Sequence, residues 1–223
     1  MRRAVRLIPL VFLLASACQL ARSAARAPQA SGHPPRSPAA VPSPSPSPPP
    51  APVRIPSPYG AGPSSPTAPP GGVTAIGDSV MLDAAPNLST LVPGIAIDAM
   101  VSRPVATGIA ELQRLAASGA LGARVVIHLG TNGGLSRAQL DQIVALAAGR
   151  HLVLLTNHCP YCSWVAANNA VIRAGCSAAR HCTVADWNAL ADANPQWFGR
   201  DGVHMPIGGT GGEAYAEMVV HDL

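Results

Sequence analysis

Acidic residues are absent from the first third of this chain: not one of its eleven aspartates and glutamates falls before position 73. Lysine is absent altogether, so all fifteen basic residues are arginine, and seven of them lie in that same acid-free stretch. The formal charge of +4 therefore joins two unlike parts. From position 73 onward eight arginines face eleven carboxylates, and that part is mildly acidic. It holds no basic patch with interleaved aromatics, and aromatic residues make up only 4% of the chain. Nucleic-acid binding is excluded as the meaning of the high isoelectric point. A long apolar run is missing as well. The stretch from Leu7 to Ala17 is too short, and too close to the start, to read as a membrane span.

What is there begins with an export pattern. Arg2, Arg3 and Arg6 precede the apolar run, and small residues follow it, so residues 1–27 read as a secretory signal. Leu14-Ala15-Ser16-Ala17-Cys18 resembles a lipoprotein lipobox, with Ala15 where a larger aliphatic residue is usual. Cleavage among Ala24 to Ala27 is the competing reading, and both stay open. Residues 28–72 carry seventeen of the 24 prolines among serine, alanine and glycine. Such a segment cannot bury enough apolar surface to offset its ordering entropy. Its Ser-Pro alternation from Pro42 to Pro50 favours an extended, semi-rigid spacer.

Residues 73–223 read as one domain, long enough for a real core. Short apolar runs at 73–77, 95–100, 124–129, 151–156 and 182–185 are expected strands. Amphipathic stretches at 80–91, 104–117, 138–148 and 163–174 are expected helices, with Pro104 starting the second. Thr210-Gly211-Gly212-Glu213 reads as a capping box that opens a last helix running to about Val220. Apolar strands alternating with helices mean a parallel sheet covered on both faces, a three-layer α/β/α sandwich. Ligands of such a sheet bind beyond the carboxyl ends of its strands. The residues delivered there are Asp78-Ser79, Ser102-Arg103, Gly130-Thr131-Asn132-Gly133, Asn157-His158 and, before the last helix, Asp201-Gly202-Val203-His204.

These residue types divide into roles. Ser79, at a helix N-terminus, is a candidate nucleophile; taken alone, Asp78-Ser79 is equally a plain helix cap. His204 is the candidate base, and Asp201, three residues earlier, can fold back onto its other ring nitrogen. Asn132 can donate to a developing oxyanion beside the Ser79 N–H. Arg103, Asn157 and Trp164, on the same edge, are candidate substrate contacts, and Tyr161 lies with them. His128 and His151 read as structural histidines, and Trp187, Trp197 and Phe198 as packing.

In these residues the domain resembles the SGNH (GDSL-like) hydrolase superfamily. Gly77-Asp78-Ser79 is similar to its first block, Gly130-Thr131-Asn132 to its third, and Asp201-Gly202-Val203-His204 to its last. The resemblance implies a flavodoxin-like sheet of five parallel strands in the order 2-1-3-4-5, and ester hydrolysis or acyl transfer through an acyl-serine. One block departs. Where the family usually places a glycine after strand two as an oxyanion donor, this chain has Met100-Val101-Ser102-Arg103. A backbone N–H at Ser102 or Arg103 can take that role, since any residue but proline has one. The Asp-Ser-Val-Met start and the Val-Ser-Arg loop are similar to the extracytoplasmic domains attached to acyltransferase-3 membrane proteins, peptidoglycan O-acetyltransferases among them. Their membrane acyltransferase part is not in this sequence.

An exported domain favours disulfides. The helix at 163–174 carries the chain about 18 Å across the sheet at 1.5 Å per residue. Disulfide partners need Cα atoms within about 7 Å. The expected pairs are therefore Cys159–Cys162 and Cys176–Cys182. A zinc site using His158 or His181 is the alternative, and the same distance argues against one site joining all four cysteines.

The expectation is an exported or envelope-attached serine esterase acting on small acyl esters of carbohydrate. It needs no cofactor and no metal, works as a monomer, and touches the membrane only through a signal or lipid anchor. The rivals are an O-acetyltransferase using the same residues, served by a separate membrane acyltransferase, and a non-catalytic envelope-binding module.

Overall fold

The structure, a computed structural model, describes Ala68 and residues 71–223. The signal region 1–27, the Cys18 lipobox and nearly all of the 28–72 spacer lie outside the described residues. Among the described residues no helix is long and apolar enough to cross a membrane.

Five strands form the sheet: β1 (Val73–Gly77), β2 (Ala96–Ala99), β3 (Arg124–His128), β4 (His151–Leu155) and β5 (Cys182–Ala185). Their order is β2-β1-β3-β4-β5, every pair parallel. Among the described residues six α-helices surround it: α1 (Ser79–Leu91), α2 (Val105–Ala117), α3 (Arg137–Leu146), α4 (Val165–Gly175), α5 (Trp187–Asp192) and α6 (Thr210–Asp222). Side chains alternate across a strand, so each strand feeds two cores. Ala75, Val126, Val153 and Leu155 face the core that holds Met81 and Leu88 of α1, Trp187 of α5 and Tyr215 of α6. Ile76, Val125, Ile127, Leu152 and Leu154 face the other, with Leu112 of α2, Leu140 of α3 and Ile172 of α4. Each large side chain fully buried there contributes on the order of 1.5–3 kcal/mol of transfer free energy.

Local details depart from the sequence pattern in three places. Pro104 is the N-cap of α2 and not its first residue. The last helix has Gly209 as its N-cap with no side-chain cap bond, so the expected Thr210–Glu213 capping box does not form. Thr210 already sits inside the helix, where its hydroxyl cannot reach forward as a cap does. The short helix α5 went unforeseen, because its six residues are too few for periodicity to register.

The cysteines form Cys159–Cys162, with Cα atoms 5.3 Å apart, and Cys176–Cys182, 5.2 Å apart. These are the expected pairs. The first closes the turn between β4 and α4, and the second joins the end of α4 to the start of β5.

Candidate active site

The site is built at the carboxyl edge of the sheet, where β1 stops and α1 begins. Asp78 is the N-cap of α1, and its Oδ1 accepts from the Val80 N–H at 3.1 Å. The cap is thus real, and Asp78 does more than cap. Its other carboxylate oxygen accepts from the backbone N–H of Thr131 at 3.3 Å, tying the loop after β3 to the head of α1. Ser79 follows as the first residue of α1, 6% exposed, where the helix leaves its N–H groups unpaired and its dipole positive.

The loop before α6 comes down on Ser79. His204 Nε2 lies 2.9 Å from Ser79 Oγ, and His204 Nδ1 lies 2.7 Å from Asp201 Oδ2. Asp201 Oδ1 accepts from the N–H groups of Val203 and His204, both at 3.0 Å. These bonds, that from Val203 first, hold the Asp201 carboxyl down at about 2. It therefore stays ionised at neutral pH. An ionised carboxylate on Nδ1 fixes the tautomer that offers a lone pair at Nε2. The next residue, Met205, donates its N–H to Asp83 Oδ2 at 3.1 Å. Asp83 lies one turn along α1 from Ser79, so one helix carries the serine and tethers the histidine loop. Sequence reasoning passed over Asp83, because a lone aspartate on a helix has no signature.

A cleft of about 400 Å³ opens over these groups, lined by Ser79, Ser102, Thr131, Asn132, Trp164 and His204 among others. Asn132 is exposed at its wall. Ser102 stands where a glycine is usual, and it adopts a left-handed backbone, φ 55°. Tyr161 and Trp164 are exposed, at 69% and 38%, on the same cleft.

Two of the expected substrate contacts are elsewhere. Arg103 is 5% exposed and turned inward, where it donates to the Gly77 and Asp98 carbonyls and pairs with the Asp98 carboxylate. It locks β2 to the end of β1 and does not line the cleft. Asn157 is fully buried. Its Nδ2 donates to Leu129 O at 3.1 Å, while its backbone N–H donates to Asn169 Oδ1 at 2.7 Å. Both are polar groups held under the loops, which strand-end position alone could not distinguish from groups above them. Trp164 does line the cleft, and its indole N–H also donates to Gly130 O at 3.1 Å.

Asn168 of α4 organises the loop after β3. Its Nδ2 donates to Gly130 O and Gly133 O, and its Oδ1 accepts from the Leu135 N–H at 2.7 Å. Gly130 has φ +121°, and a Cβ there would collide with the Asn157 side chain. His128 at the end of β3 is fully buried, with Nδ1 3.0 Å from the Tyr215 hydroxyl. Burial pushes the His128 imidazole down and the Tyr215 phenol well up, so both are neutral and neither joins the relay.

Among the described residues no group of three or more His, Cys, Asp or Glu side chains is arranged to hold a metal ion. The thiols a zinc site would use are bonded to each other.

No family model matches the chain. It is similar to peptidoglycan O-acetyltransferase OatA of Listeria monocytogenes, 32% identical over 145 residues, which is 65% of this chain and 23% of that protein. It is 27% identical to O-acetyltransferase OatA of Staphylococcus aureus over 150 residues, 66% of this chain and 24% of that protein. The chain thus spans about a quarter of the length of these relatives. Among solved structures it is similar to the C-terminal catalytic domain of Streptococcus pneumoniae peptidoglycan O-acetyltransferase A, which carries a methylsulfonyl adduct. The two are 29% identical with a TM-score of 0.63, over 69% of this chain and 93% of that one.

Proposed function

We propose that this chain, whose residues 73–223 form an SGNH (GDSL-like) hydrolase domain, is an exported serine esterase that removes small acyl groups, acetyl foremost, from cell-envelope carbohydrate. The observation that carries the reading is the unbroken relay from Ser79 Oγ through His204 to Asp201, with both links under 3 Å. Ser79 Oγ attacks the ester carbonyl while its proton passes to His204 Nε2. The oxyanion meets the Ser79 N–H, the Asn132 amide and the N–H at Ser102. His204 then gives its proton to the departing sugar hydroxyl, which leaves acyl-Ser79. Water, deprotonated by the same imidazole, cleaves that ester, releases the acid and restores Ser79.

The second reading is O-acyl transfer, in which a sugar hydroxyl replaces water in the last step. It is favoured by the similarity to proteins named for acetyl transfer to peptidoglycan. A separate membrane acyltransferase is then the expected acyl source. Export is supported by the basic and apolar start of the chain and by two disulfides. Action as a monomer and a lipid anchor at Cys18 belong to the same proposal. A non-catalytic binding module has no use for the relay.

The test is turnover of a small aryl acetate by the purified protein, with and without a chito-oligosaccharide acceptor. Release of acetate that drops about a thousandfold or more in Ser79→Ala supports the esterase. Acetylated oligosaccharide formed in preference to free acetate moves the assignment to transfer. Equal inertness of wild type and Ser79→Ala on every ester leaves the binding module.

A further inference from the structure

A second cavity lies beside the cleft. It shares Cys159 and Cys162 with the cleft that holds Ser79, and no other lining residue, so the disulfide-closed turn is a wall common to both. Its volume is about 420 Å³, within the roughly 300–1,000 Å³ range of small-molecule sites. His158, Ala166, Asn169, Arg173, Asn188 and Asp192 line it. The proposed chemistry at Ser79 uses none of them.

The side chains there are already organised. His158 Nδ1 lies 3.0 Å from Asp192 Oδ1, and Asn188 Nδ2 donates to Asp192 Oδ2 at 2.7 Å. The His158 ring stacks on Phe198 with centroids 4.9 Å apart. Arg173 makes two bonds to the Asp186 carboxylate, both 2.9 Å.

This lining selects its occupant. An acyl chain needs apolar walls throughout, and here Pro160, Val165 and Ala166 share the lining with five polar side chains. An anion needs an unanswered cation, but Arg173 is answered by Asp186, and Asp192 adds a carboxylate of its own. A neutral ring bearing several hydroxyls suits a wall of mixed donors and acceptors, because each hydroxyl both gives and takes a hydrogen bond. Since the two cavities meet at one turn, a polymer seated in the first passes over Cys159–Cys162 into the second. Tyr161 and Trp164 stand exposed at that crossing.

We infer that this cavity is a second saccharide subsite, which holds the sugar unit next to the one whose ester faces Ser79. The inference rests on the carbohydrate reading given above. The disulfide keeps the crossing rigid, and a longer glycan gains contacts that a lone sugar cannot make.

The test is calorimetric titration of the full chain with N-acetylglucosamine and with its β-1,4-linked tetramer. The tetramer is expected to bind at least tenfold tighter. Ala166→Trp, which fills the cavity from an exposed position on α4, and Asn188→Ala are expected to bring the tetramer down to the level of the monomer. Ser79→Ala keeps the tetramer affinity, and Ala166→Trp keeps wild-type turnover of the aryl acetate. A tetramer that binds no tighter than the monomer, or as tightly to Ala166→Trp as to wild type, overturns the subsite. The two readings fail separately. An inert wild type that still prefers the tetramer sinks the esterase and supports the subsite, and an active esterase without that preference sinks the subsite alone.

Discussion

Ser102 holds a positive φ with a side chain that is not glycine. A non-glycine side chain at φ 55° costs roughly 1 kcal/mol that a glycine would not. Ser102→Gly is therefore expected to raise the melting temperature by a few degrees. Activity on an aryl acetate stays within about twofold if the backbone N–H is the oxyanion donor, and a tenfold loss would assign the role to the hydroxyl. Asp83 makes a sharper case. Burial, ahead of all else, raises its carboxyl above the ordinary 3.8. A carboxyl raised in the folded state favours folding below its unfolded value and opposes it as pH rises through the folded value. Asp83→Asn keeps an oxygen for the Met205 N–H and removes the charge, so at pH 7 it should melt no lower than wild type. That margin should close below about pH 4, where the wild-type carboxyl is protonated. Asp83→Ala removes the acceptor, and its kcat should fall about tenfold while Asp83→Asn stays near wild type. Equal kcat in both variants would mean the tether does not position His204.

At the scale of elements, α4 sets the geometry of the loop after β3. Asn168 bonds two carbonyls and one N–H of that loop, sharing the Gly130 carbonyl with the Trp164 indole. Asn168→Ala takes away the partner of the buried Leu135 N–H and of the Gly133 carbonyl and should cost about 2 kcal/mol, with loss of activity beyond what instability explains at a temperature where the variant is folded. Denaturation and turnover measured side by side check this. The sequence made β1, β3 and β4 legible because central parallel strands are nearly all apolar. It made Ser79, Asn132, Asp201 and His204 legible because they follow strands or precede a helix on one edge. Depth was hidden. Arg103 and Asn157 lie on that edge too, but they point beneath the loops, and only packing decides that. Asn168 was hidden for the same reason, as a polar residue on a helix that reads as surface until the loop above it is seen.

For the whole molecule, two disulfides close short loops at opposite ends of α4. The chain-entropy account gives roughly 2 kcal/mol for a loop as short as that of Cys176–Cys182. The double variant Cys176→Ala, Cys182→Ala should lose about that much stability and keep its aryl-acetate turnover, since the bond lies away from the cleft. The other pair walls the cleft, so Cys159→Ala with Cys162→Ala should lower turnover as well. Identical behaviour of the two double variants would deny the Cys159–Cys162 turn any part in the site. The order β2-β1-β3-β4-β5 came from resemblance in three motifs and not from periodicity, which cannot rank strands in a sheet. The tertiary arrangement then brought Ser79 and His204, 125 residues apart in sequence, within 2.9 Å.

That contact is the centre of the account, and covalent labelling tests it most directly. The protein is treated with a small sulfonyl fluoride and the modified peptide is mapped by mass spectrometry. One label is expected, on Ser79, at a rate that falls about a hundredfold or more in His204→Ala, because only the imidazole at Nε2 activates the hydroxyl. Labelling that is absent, scattered over other hydroxyls, or equally fast without His204 would contradict it.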